Sequence, residues 1–141
     1  MEIRGAAVPK AIRLFEAGIL VSVLLGLASI TLSFGGMFYA LPGQLPSPIH
    51  ALSYLSVPVV EMIVVPLFSA LAASRERSLF AKWLLTLVTL FMIARWLPYL
   101  GMVRTIALPG QLAMGQAVVQ LASAGLLFTG QARAWLSPRP A

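Results

Sequence analysis

The chain contains no cysteine, no aspartate and no asparagine, and His50 is its only histidine. Each absence removes a class of chemistry. Without cysteine there is no thiolate metal site and no thiol–disulfide exchange. One histidine leaves a bis-histidine haem without its second axial ligand within the chain, and it argues against a multi-ligand transition-metal site. Without asparagine there is no N-glycosylation sequon. Charge is scarce too: 10% of the 141 residues are Asp, Glu, Lys or Arg, against about a quarter in soluble domains. The sequence offers no nucleophile–base pair, ligand set or cofactor motif. A non-enzymatic protein is therefore expected, with no catalytic residue, no cofactor and no metal.

What the chain has in abundance is apolar surface, 60% of its residues being hydrophobic. This leaves no room for a separate soluble domain, so residues 1–141 are expected to form one membrane domain. A bilayer requires runs of about 20 predominantly apolar residues. Four such runs are legible, over about 11–34, 49–73, 79–100 and 111–130. They predict an all-α integral membrane protein, four transmembrane helices in an antiparallel up-down bundle. The first run is too long for a signal-peptide core, is interrupted early by Glu16 and lacks a clear small-residue cleavage site, so it is expected to stay in the membrane. Between the first two runs, G-G-M-F-Y-A-L-P-G-Q-L-P-S-P carries three prolines and three glycines, which forbid a continuous helix.

The net charge of +6 matters less than where it falls, because in a membrane protein basic residues report orientation before nucleic acid. Arg4, Lys10, Arg13, Arg75, Arg77, Lys82, Arg133 and Arg139 fall on one side of the predicted spans, and only Arg95 and Arg104 on the other. Eight against two predicts that both termini of a multi-pass membrane protein are cytoplasmic. Trp83 near the start of the third span, and Trp96 and Tyr99 at its end, are spaced as interfacial aromatic belts.

The stretch around which the rest is arranged is Val57 to Pro66, V-P-V-V-E-M-I-V-V-P. A carboxyl group at bilayer depth costs roughly 2.5–3.5 kcal/mol on insertion scales, so Glu61 must be faced, solvated or kept protonated. Pro58 and Pro66 each withhold an amide, which deprives the carbonyls of Tyr54 and Met62 of their helical donors. Arg95, near the outer end of the third span, is a partner for Glu61, the alternative being that it snorkels to the headgroups. His50, Tyr54, Val57 and Glu61 are spaced four, three and four apart and share one helical face. They could carry protons or a ligand from the outer surface to the carboxyl, although His and Tyr are equally at home at headgroup level.

Gln116, Gln120 and Ser123 line one face of the fourth span and should point into the bundle, either as a polar seam or as part of a ligand site. Gly18, Ser22 and Gly26, continued by Ser29 and Ser33, form a small-residue stripe that lets another helix approach closely, from this chain or a second copy. Glu16 lies one turn after Arg13 and can pair with it.

P-K-A-I-R-L-F-E-A-G-I-L-V-S-V-L-L-G-L at Pro9–Leu27, S-R-E-R-S-L-F-A-K-W-L-L at Ser74–Leu85 and L-F-T-G-Q-A-R-A-W-L at Leu127–Leu136 resemble the opening, middle turn and ending of a group of small, uncharacterised bacterial inner-membrane proteins. The resemblance covers under a third of the chain. It implies a four-helix membrane protein with cytoplasmic ends, and no catalytic residue carries over. The function expected is that of a structural or accessory bundle with a buried polar cluster. Its partners would be the lipid bilayer and a second copy or a membrane partner protein, with no nucleic acid. The alternative is a proton-linked small-molecule transporter or binding bundle using Glu61.

Overall fold

The computed structural model describes residues 7–38 and 56–138, which are helical throughout apart from short turns and contain no β-strand. Helix α1 is Lys10–Phe38. It begins where the Pro9 carbonyl accepts from the amides of Ile12 and Arg13, at 3.0 and 3.2 Å. Sequence reading ends this helix at residue 34, yet it continues through Gly35 and Gly36. Glycine lowers helix propensity without blocking the hydrogen-bond ladder as proline does, and the next proline is Pro42.

Helix α2, Ser56–Ser74, is widened into a π-helical turn at Val60–Val64, closed by the Val65 amide on the Val60 carbonyl. Pro66 follows at once and cannot donate to Met62, so the ladder relaxes in the turn before the proline. A four-residue turn follows α2, with Arg77 in the left-handed region at φ 56°. Ser78 caps the next helix, its hydroxyl accepting from the Ala81 amide at 3.2 Å. Helix α3 is Leu79–Trp96, and Pro98 tightens its continuation into a 3-10 segment, Leu97–Met102.

Helix α4, Leu108–Leu126, begins three residues earlier than the predicted 111 because Pro109 sits in its first turn, where the missing amide has no partner to lose. It also ends sooner than the predicted 130. Thr129 caps a new helix, α5, Gly130–Leu136, and the two are bent by 71°. The tail thus folds back as a short helix, held by Trp135, whose indole donates to the Ser74 carbonyl at 3.2 Å. The Arg77 guanidinium stacks 3.8 Å over the same ring, which offsets the cost of its left-handed backbone.

Neighbouring helices run antiparallel. Residues 22 and 29 of α1 bond to residues 120 and 109 of α4, so α1 ascends as α4 descends. Gln120 of α4 reaches Thr89 of α3, while Glu61 and Arg95 tie α2 to α3. Glu16 pairs with Arg75 at the foot of α2, at 3.8 Å, rather than with Arg13 on its own helix. The core contains Ile12, Phe15, Ile19, Leu85 and Leu127, all essentially inaccessible.

The distribution of side chains is inverted relative to a soluble protein. Ser22, Ser69, Thr89, Gln116 and Gln120 are wholly buried, whereas Leu24, Phe80, Leu87, Phe91 and Val118 each expose more than half their surface. Among the described residues three helices, Lys10–Ser33, Ser56–Ser74 and Leu79–Met102, are long and apolar enough to cross a membrane, and the bent pair α4–α5 makes a fourth candidate.

Candidate functional site

The inward face of α4 carries the polar side chains that reach furthest across the bundle. Gln120, spaced four residues from Gln116, accepts from the Ser22 hydroxyl at 3.2 Å and donates to Thr89 Oγ1 at 2.9 Å. Thr89 in turn donates to the Leu85 carbonyl at 2.7 Å. One glutamine therefore links three helices. Each amide atom that bonds within a low-dielectric interior avoids a penalty of roughly 1–3 kcal/mol for a buried unsatisfied group.

Gln116 answers the defect that the prolines create. Its Nε2 donates to the Met62 carbonyl at 2.8 Å, the acceptor that Pro66 leaves without a helical donor. The side chain fits because Gly26 faces it: a Cβ there would come within 2.7 Å of Gln116 Oε1. Gly18 does the same earlier in α1, where a Cβ would collide with Ser123 Oγ. Ser123 bonds its own helix, donating to Val119 at 2.7 Å. From Gly18 to Ser29 the small-residue stripe of α1 is thus used against α4 of the same chain. The carbonyl of Tyr54, the other acceptor freed by a proline, lies outside the described residues, as do His50 and Tyr54 themselves.

Glu61 projects from the π-helical turn and is buried, with 8% of its surface exposed. Arg95 Nη1 lies 3.1 Å from Glu61 Oε2. Nevertheless, among the described residues, neither carboxylate oxygen receives a hydrogen bond, because proximity alone does not align an N–H with its acceptor. The Arg95 side chain is 45% exposed, so the pair joins a buried anion to a half-solvated cation, and Phe91 lies 5.9 Å beneath the guanidinium. Beside Glu61, an open groove of about 530 Å³ runs between α2 and α3, walled by Val57, Val60, Val65, Leu87, Val88 and Phe91. Val57 is the one further member of the predicted Glu61 stripe among the described residues, and it lines this groove.

Among the described residues, three further polar oxygens, Ser69 Oγ, Ser74 Oγ and Gln116 Oε1, and the Trp96 indole nitrogen are buried without a hydrogen-bond partner. Sequence reasoning misses both Thr89 and the groove. Thr89 is legible in principle as a hydroxyl in an apolar run, but the groove depends on how α2 and α3 splay. Among the described residues no three His, Cys, Asp or Glu side chains gather as a metal site. Comparison with known proteins finds no matching family model, no similar curated protein and no similar solved structure, so the residues themselves carry the functional argument.

Proposed function

We propose that the chain is a non-enzymatic polytopic membrane protein, a structural or accessory bundle of four spans. Both of its ends are cytoplasmic, and it belongs to the bacterial inner membrane. The observation that carries this reading is the use made of its buried polar groups. Gln116, Gln120, Ser22 and Thr89 are committed to one another or to a backbone carbonyl on a neighbouring helix. Their bonds hold a bundle whose outer surface is hydrocarbon. Placing both ends in the cytoplasm rests on the distribution of Lys and Arg, and the inner-membrane assignment on the motif resemblance. The accessory role calls for a partner, a second copy or another membrane protein, docked on the lipid-facing surface. Native mass in a mild detergent tests it: a dimer or a co-purifying subunit is expected, and a lone monomer under those conditions contradicts the accessory reading.

A second reading is supported by one specific observation, the two Glu61 oxygens without hydrogen bonds at the edge of a groove. Proton-linked transport or ligand binding would use this carboxyl. Uptake into proteoliposomes that depends on pH, and is lost in Glu61→Gln without loss of the fold, is the result this reading requires.

A further inference from the structure

The groove between α2 and α3 has a chemistry that is polar at one end only. Leu87, Phe91 and Arg95 follow one another at intervals of four residues on one face of α3, and the stretch from Leu87 to Arg95 rises about 12 Å. Across from it α2 contributes Val57, Val60 and Val65, with Ser56 at its start. Apart from Ser56 and Glu61 the walls are hydrocarbon, open to the side, and long enough for a stretch of an extended acyl chain. At the Arg95 end two charged groups stand together with their bonding capacity unspent. Glu61 is more than nine-tenths buried, lines the groove and has two acceptor oxygens without donors among the described residues. Arg95 is half-exposed and approaches Glu61 through one nitrogen, at 3.1 Å, which leaves most of its five N–H donors to be met.

We infer that this groove binds an aminophospholipid, with the ammonium on Glu61, the phosphate on Arg95 and one acyl chain along the apolar walls. The assignment follows from elimination by charge. A simple lipophilic amine satisfies Glu61 but brings a second cation against Arg95. An anionic lipid satisfies Arg95 but leaves the buried carboxylate oxygens unmet. A choline headgroup carries the right charges but no N–H, so it cannot donate to an acceptor-only carboxylate. Only a headgroup holding both a primary ammonium and a phosphate answers both residues through charge-assisted hydrogen bonds. The inference rests on the chain residing in a bilayer, which resistance to alkaline extraction from membranes tests independently of any headgroup preference.

The experiment is native mass spectrometry of the full chain in mild detergent, presented with equimolar dioleoyl phosphatidylethanolamine, phosphatidylcholine and phosphatidylglycerol. Retention of one phosphatidylethanolamine, favoured about tenfold over each of the other two, is expected, equivalent to about 1.4 kcal/mol. Leu87→Trp fills the groove from a side chain that is 63% exposed, so it should abolish the adduct without lowering the unfolding midpoint. Glu61→Gln should bring the ethanolamine-to-choline ratio to about one while keeping acyl-dependent retention. Equal retention of the three lipids by the native chain overturns the inference, as does an adduct that survives Leu87→Trp. Retention of none, the result if another stretch of the chain fills the groove, overturns it equally. The native comparison decides the matter even if a variant fails to fold.

Discussion

Pro66 and Gln116 lie far apart in the sequence, yet they should behave as a thermodynamic pair. Proline at 66 removes the amide that would bond Met62, and Gln116 supplies the replacement at 2.8 Å. Gln116→Leu keeps a similar volume but strands the Met62 carbonyl in a site that water does not reach. A buried orphan acceptor costs roughly 1–3 kcal/mol, while interhelical hydrogen bonds measured in membranes average about 0.6 and reach about 1.7 kcal/mol. The substitution also removes Gln116 Oε1, itself buried without a partner, which offsets some of the loss. A net destabilisation of about 1 kcal/mol is expected. With Pro66→Ala the helical amide returns, Met62 recovers an intrahelical donor, and the same Gln116→Leu change should cost less than about 0.5 kcal/mol, within the ordinary limit of additivity. Reversible unfolding in mixed micelles, followed for native, both single variants and the double variant, reads the coupling directly. Coupling below that limit refutes the claim that Gln116 is there to repair the proline defect.

Gly26→Ala pushes a Cβ to within 2.7 Å of Gln116 Oε1, so it should reproduce the Gln116→Leu loss of about 1 kcal/mol in the same unfolding assay. Gly115→Ala, with no atom of the described residues within 4 Å of its added Cβ, should instead be neutral or stabilise by about 0.5–1 kcal/mol. Glu61→Gln and Arg95→Met should show coupling of about 1 kcal/mol in a double-mutant cycle, smaller than the 3–5 kcal/mol of breaking a fully buried pair because Arg95 is 45% exposed. Additive effects there would mean that Arg95 serves only the membrane surface.

How far these interactions can be read from the sequence depends on whether they are local. Pro66 announces a carbonyl without a donor wherever the helix goes, and a glutamine in an apolar run announces a need for one. The sequence thus poses both halves of the Gln116–Met62 bond without showing that they meet, since that depends on the register of α4 against α2. Gly18, Ser22 and Gly26 likewise declare a close helix contact, and only the antiparallel packing identifies α4 as the partner. Glu16 has a ready local partner in Arg13, three residues away. It reaches Arg75 instead, because the fold brings the end of α2 beside the start of α1. The ends of helices are least legible: Gly35 and Gly36 look like breaks and are not, whereas Thr129, with no distinguishing neighbour in the sequence, restarts the chain as α5 by capping it.

A bundle of membrane spans with both ends in the cytoplasm is the central claim, and the chain's lack of cysteine makes one measurement unusually clean. Single cysteines introduced as Gly43→Cys, between the first two predicted spans, and Glu76→Cys, between α2 and α3, carry no background label. In intact cells an impermeant maleimide should label position 43 readily and position 76 only after the membrane is opened. Labelling of position 76 from outside, or of position 43 only from the cytoplasmic face, would contradict this topology.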